Sequence, residues 1–461
     1  MSDPQDSVFQ DQVLPLFQQL IQNQCVNTGD PDSGGEIRSA QLLQDFFNSY
    51  GIPSEILETR PGRSNLLVRI PGTDPQALSL AYMGHMDVVP AQRETWSHPP
   101  FEAVVDQEQI WGRGAVDMLC WTATQAVGLA QAVKNHGPFS GDLAYFALAD
   151  EEAAGTYGAR FLTRDHWDKV KCDYMVTELG GFFLPTTHGP AAAINLGEKG
   201  VCWLKLRTKG TPGHGSMPYG MENALDKIAR VVVLVEDWNP PLRPHPAYKT
   251  MAKAMGKTPW EKMALSTGWG ERTALKTLSR RNPGMARFLH TAGRTTISPN
   301  LLSGGTKINI IPDSGELGLD IRFLPQDVPG GQTPEVVIEL VETILGPELA
   351  REFTFEVLDF FPSNSSHSGG PFYEATENLL QKAHPDAHLM DMFIGGVTDG
   401  RFWRQKGTQV YGYCLFDQDM TMDAYGQRIH GIDERISISS LEKAYTYFRD
   451  LPKEFFGGLV K

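Results

Sequence analysis

Three short apolar runs each end in side chains of the kind that bind metals, and this restricts the possible folds more than any other feature of the chain. Ala77 to Met83 leads into Gly84-His85-Met86-Asp87, Leu143 to Ala149 into Asp150-Glu151-Glu152, and Tyr174 to Thr177 into Glu178. Runs this short, bounded by turn residues, read as strands buried on both faces. Helical stripes lie between and before them: Phe9, Val13, Leu16, Phe17, Leu20 and Ile21, then Ile37, Ala40, Leu43, Phe46, Phe47 and Tyr50, and a helix from Trp121 to Val133. The alternation predicts an α/β fold, a mixed sheet covered by helices on both faces. Ligands gather at the carboxyl ends of strands in such sheets, where His85, Glu151, Glu152 and Glu178 all fall.

A divalent cation needs imidazole nitrogen and carboxylate oxygen on rigid backbone with positions left open. Together with His430 near the C-terminus, these residues read as a two-metal hydrolytic centre. Strand positions two apart share a face, so His85 can offer one ring nitrogen to a metal while Asp87, or a backbone carbonyl, accepts from the other. Asp87 is assigned that orienting role. Glu151 and Glu152 are adjacent and point in different directions, so one can hold metal while the other faces a reacting water.

A chain of 461 residues is too long for one typical core, so two or more domains are expected. The net charge of -14 argues against binding nucleic acid phosphates as the main role. Cys25, Cys120, Cys172, Cys202 and Cys414 are odd in number and lack Cys-x-x-Cys spacing, which suggests neither a disulfide framework nor a thiolate zinc site. The N-terminal residues lack the basic and apolar regions of a signal peptide, and no run reaches membrane-spanning length. The expectation is a soluble cytoplasmic protein with no nucleic-acid or membrane partner.

Near Gly197 the texture changes. A strand Val201 to Arg207, a helix from Glu222, strands near Lys307 to Ile310 and Glu316 to Phe323, and a helix Pro334 to Leu345 capped by Thr333 predict a smaller inserted α+β domain. Residues 236–299, rich in Pro, Trp, Lys and Arg, read as a helical insertion within it. A strand Thr408 to Cys414 and a helix Leu441 to Arg449 return the chain to the first domain. The expected division is 1–197 and 363–461 for the catalytic domain and 198–362 for the inserted lid and dimerisation domain.

Six motifs in order now carry a resemblance. Gly84 to Pro90, Gly112-Arg113-Gly114-Ala115-Val116-Asp117-Met118, Asp150-Glu151-Glu152, Thr177-Glu178, Gly213-His214-Gly215-Ser216 and His430-Gly431-Ile432-Asp433-Glu434 resemble those of the M20 metallopeptidases. That family includes zinc carboxypeptidases, dipeptidases, aminoacylases and succinyl-diaminopimelate desuccinylase. The likeness runs from Asn27-Thr28 and Gly62-Arg63-Ser64-Asn65 to His430, with 236–299 matched least.

The resemblance implies two zinc ions, with manganese or cobalt able to substitute. One would be held by His85, Asp117 and Glu178, the other by Asp117, Glu152 and His430, with Asp117 bridging and followed by a cis peptide. Glu151 would be the general base, His214 an oxyanion donor from the smaller domain, and Arg322 with Thr398 the substrate-carboxylate contacts. The implied substrate is a small peptide or N-acyl amino acid, and the implied assembly a homodimer through the inserted domain.

Competing readings exist. Arg322 fits a structural ion pair as well as a clamp, and Gly213-His214-Gly215-Ser216 could be a tight turn. Asp399, Arg401 and Glu434 read as scaffold, and Gly112-Arg113-Gly114 lacks the lysine and spacing of a phosphate loop. Leu119-Cys120 departs from the family's Lys-Gly beside the bridging aspartate. A catalytically silent homologue that binds such ligands or dimerises is the alternative; the intact Glu151 speaks against it.

Overall fold

The computed structural model describes residues 7–186, 188–328 and 330–458. Its larger sheet is mixed, running in order Ser54–Arg60, Arg63–Ile70, Leu143–Leu148, Leu80–His85, Tyr174–Thr177, Gln409–Gly412, Gly189–Glu198 and Asn364–Ser365. Leu143–Leu148, Leu80–His85, Tyr174–Thr177 and Gln409–Gly412 pair in parallel, so their carboxyl ends share one edge. His85 stands opposite Leu148 in the register, so the turn after Leu148 emerges beside it. These central strands are apolar because both faces are covered: every residue of Leu80–His85 and Leu143–Leu148 is buried. The helices Leu14–Gln22, Ile37–Ser49, Leu119–His136 and Ile438–Gly458 supply much of the cover.

Leu119–His136 is buried nearly all round, which suits a helix held between the sheet and other helices. Gly128 marks its closest approach, since a Cβ there would lie 2.7 Å from that of Phe448. The predicted helices and strands of this region recur with boundaries shifted by a few residues.

The smaller sheet is antiparallel, ordered Thr296–Gly304, Ser314–Phe323, Gly200–Lys209, Phe353–Phe361. Strand alternation puts Leu317, Leu319, Ile321 and Phe323 on one face, against Ile228, Val231 and Val235 of Ala224–Asp237 and Val337 and Val341 of Pro334–Leu345. Two expectations here are corrected. Lys307 to Ile310 is mostly turn, with only Ile310–Ile311 pairing to Gly213–His214, because the segment reverses direction between two strands. Thr333 occupies the cap position of Pro334–Leu345, but its side chain accepts no capping hydrogen bond.

Residues 236–299 contain the helices Pro246–Met255, Pro259–Thr267, Glu271–Arg281 and Pro283–Ala292 before the strand Thr296–Gly304 begins. Thr258 closes a capping box with Glu261, and Pro opens three of the four helices. This block packs on the larger sheet: Tyr248, Met251, Ala252 and Leu289 join the same core as Leu184, Leu389 and Met390.

Candidate metal centre

The structure brings together His85, Asp117, Glu151, Glu152, Glu178 and His430, gathered from five separated stretches of chain. Asp117 is at their middle. Its Oδ1 lies 3.2 Å from Nε2 of His85, and its Oδ2 lies 3.2 Å from Nε2 of His430. Glu178 reaches to 3.8 Å of the same His85 nitrogen, and Glu152 to 3.1 Å of the His430 nitrogen. Donor atoms of His85, Asp117 and Glu152 lie within 4.8 Å of one another, as do those of His85, Glu151 and Glu178.

Four carboxylates around two imidazoles make the cluster rich in negative charge. Burial raises the pKa of Glu151 well above the usual range, and the nearby Glu178 raises it further. Glu178 is pushed up to about 8 by burial and by Asp117. Burial opposes a charged His85, but hydrogen bonds to Asp117 and Glu178 outweigh it and hold its pKa well above the usual value. The bonds from Asp117 and Glu152 raise His430 to about 10. For Asp117 the two imidazoles overcome the burial penalty and lower its pKa. Protons here stand where cations would go, and Oε1 of Glu152 is buried without a hydrogen-bond partner. The donor set therefore fits divalent metal.

Backbone placement explains the convergence. Asp150 and His430 adopt left-handed conformations, φ 70° and 55°, where the chain turns its ligands inward. The Asp117–Met118 peptide is cis. Oε1 of the buried Glu434 accepts from the amides of Val116 and Asp117 at 2.7 and 2.9 Å; its Oε2 accepts from Gly114 N and Arg113 at 3.1 and 2.8 Å. Four residues past His430, Glu434 thus fixes the loop that carries Asp117. Cys120 and Leu119 are buried in the helix that follows, away from solvent.

Asp87 meets His85 through the second of the two acceptors the sequence allowed, a backbone carbonyl. Its backbone carbonyl accepts from Nδ1 of His85 at 2.9 Å, while its carboxylate oxygens lie farther off, Oδ1 at 3.6 Å. That carboxylate instead accepts the amides of Glu151 and Glu152, each at 3.2 Å, and Nδ2 of Asn27 at 2.8 Å. Beneath the turn, Asp150 takes Arg63 at 2.7 Å and Asn27 at 3.0 Å, and Arg63 also pairs with buried Glu36. Asn27 and Arg63 lie in the stretches Asn27-Thr28 and Gly62-Arg63-Ser64-Asn65, whose polar residues carry no local sign of this pairing.

Among the described residues, none of the other predicted ones hydrogen-bonds to this cluster, although the Asp399 carboxylate lies near enough to raise the pKa of Glu151. His214 is exposed, with Nδ1 2.7 Å from the hydroxyl of Ser216. Arg322 is forked onto Asp320 at 2.7 and 3.1 Å. Thr398 is fully buried and donates to Glu198 at 2.5 Å; Glu198 also pairs with Arg404 at 2.7 Å. The hydroxyl of Thr398 is thus taken up in bracing the loop. Asp399 is buried with both carboxylate oxygens unbonded, and Arg401 lies over the rings of Phe361 and Phe402.

Strand-end histidine and carboxylates around a buried aspartate, on a helix-covered mixed sheet, define a metal-dependent hydrolase. Residues 81–454 match peptidase family M20/M25/M40, and the chain belongs to that family. It is 27% identical over 400 residues to the N-fatty-acyl-amino acid synthase/hydrolase PM20D1 of Homo sapiens, covering 84% of this chain and 76% of that protein. With Homo sapiens aminoacylase-1 the identity is 26% over 428 residues, 92% of this chain and 90% of that protein. An M20 family metallo-carboxypeptidase from Sulfolobus solfataricus shares the fold, with TM-score 0.72 at 15% identity over 96% of this chain and 99% of that one.

Proposed function

We propose that the protein is a di-zinc amidohydrolase that cleaves the amide bond of small peptides or N-acyl amino acids bearing a free carboxylate. The observation that carries this reading is Asp117, whose two oxygens each face a different histidine, with Glu178 beside one and Glu152 beside the other. His85, Asp117 and Glu178 would hold one ion, and Asp117, Glu152 and His430 the second. Ions at those positions supply Lewis acidity toward an amide carbonyl and acidify water.

Glu151 lies within 4.8 Å of ligand atoms of His85 and Glu178 yet stands outside both proposed ligand sets. It takes the proton of the attacking water and returns it to the leaving amine. His214 donates to the developing oxyanion, and Arg322 engages the substrate carboxylate once Asp320 releases part of its fork. Both residues belong to the inserted domain, so movement of that domain, or a second copy of the chain, completes the site. A homodimer through this domain is supported by its edge strand Thr296–Gly304, where Leu301 and Leu302 are exposed.

The activities of these relatives set the substrate panel: N-acyl amino acids with short and long acyl chains, and dipeptides with free or amidated C-termini. Amine release from at least one free-carboxylate substrate, dependent on zinc, manganese or cobalt, is expected. No release from any, with metal bound, would contradict the proposal.

A further inference from the structure

The helical block Pro246–Ala292 has the opposite charge to the rest of the chain. It holds nine lysines and arginines against two glutamates, net +7 in a chain of net -14. Both glutamates point inward: Glu261 is 5% exposed and Glu271 4%, paired with Arg281 and Arg294. Lys249, Lys253, Lys257, Arg272, Lys276, Arg280, Arg281 and Arg287 are exposed. Among the described residues no exposed carboxylate lies in this block, and of those eight cations only Arg281 forms an ion pair.

At one end of the block the hairpin between Pro259–Thr267 and Glu271–Arg281 presents aromatic surface. Gly268 and Gly270, at φ 87° and 77°, bracket Trp269, which is 71% exposed. The ring of Trp260 lies against Gly270, and Met263 is exposed one turn further along. Arg272, Lys276 and Arg280 then continue from the tip at four-residue spacing, a row on one helix face.

We propose that this tip docks the protein on anionic lipid bilayers, with Trp269 and Trp260 in the headgroup layer and the basic rows over acidic lipid. Tryptophan favours that layer, and cations near it are attracted to anionic headgroups. Acidic groups farther than about 8 Å from the surface are largely screened at physiological salt. Docking of this kind needs no spanning segment, and no described helix is long and apolar enough to be one.

The test is flotation of the full chain with phosphatidylcholine vesicles, with and without about one-third phosphatidylserine. Binding is expected only to the anionic vesicles, falling as salt rises. Each charge near the surface is worth roughly fivefold in partitioning, so Arg272→Glu with Lys276→Glu and Arg280→Glu should lower it more than about a hundredfold. Trp269→Ser should lower it roughly tenfold at an unchanged melting temperature. If the triple variant does not fold, Trp269→Ser and the wild-type salt titration carry the test. Absence of wild-type binding, equal binding to neutral vesicles, wild-type partitioning of the folded variants, or preferential capture of a duplex oligonucleotide over vesicles would overturn the proposal.

Discussion

At the carboxyl edge of the large sheet, six donor residues meet within a few ångströms, and buried groups hold their backbone: Glu434 under Asp117, Asp87 under Glu151 and Glu152. On the smaller sheet, His214 is exposed and bonded to Ser216, and Arg322 is forked onto Asp320 two residues away. The first region is organised by burial within one chain; under the proposed mechanism the second reaches the metals through domain movement or a second copy. Metal binding and catalysis should therefore separate: changes to the proposed ligands and their supports in the first region strike both, whereas changes to Glu151 or to the second region strike turnover alone.

The largest effect expected is at Glu152. Glu152→Gln should leave one ion per chain instead of two by elemental analysis, and losing several kcal/mol of charge stabilisation corresponds to about a thousandfold or more in rate. Two ions retained would break the assignment of the second site. His214→Ala should cost about 10²- to 10³-fold in kcat with metal content unchanged. If its metal content fell as well, the contrast between the regions would fail.

Glu434→Gln tests the support of the first region. It removes one of the two oxygens that between them hold four donors, and leaves buried Arg113 without its carboxylate. Metal affinity should drop about 10- to 100-fold, and breaking the buried pair should cost about 3–5 kcal/mol of stability. Denaturant unfolding of the metal-free protein reads the second effect separately.

A smaller effect is set by pH. In the metal-free protein His430 has its pKa raised to about 10 from an ordinary 6.5, so its pairing with Asp117 and Glu152 stabilises the fold fully below about 6.5. That contribution is lost as pH rises through about 10. Metal replaces the proton, so adding zinc to apoprotein at neutral pH should release protons to an indicator dye, and metal affinity should rise with pH. No proton release would contradict protonated imidazoles in the apo cluster.

Much of the large domain was legible in the sequence because parallel, doubly covered strands are short continuous apolar runs, and the residues just beyond them must sit at one sheet edge. The supports were less legible. Glu434 acts on Asp117 from 317 residues away, and Asn27 on Asp150 from 123, distances that no local pattern encodes. Asp87 shows the limit of alternation: it put His85 and Asp87 on one face but could not choose between carboxylate and carbonyl. For residues 236–299, composition and helix starts suggested helices, yet which sheet they cover is a tertiary fact.

The most direct test pairs metal content with turnover in Glu151→Gln. The account predicts two ions per chain in both the variant and the wild type, with turnover of the best panel substrate reduced about 10²- to 10⁴-fold. Equal rates with full metal would show that Glu151 is not the base.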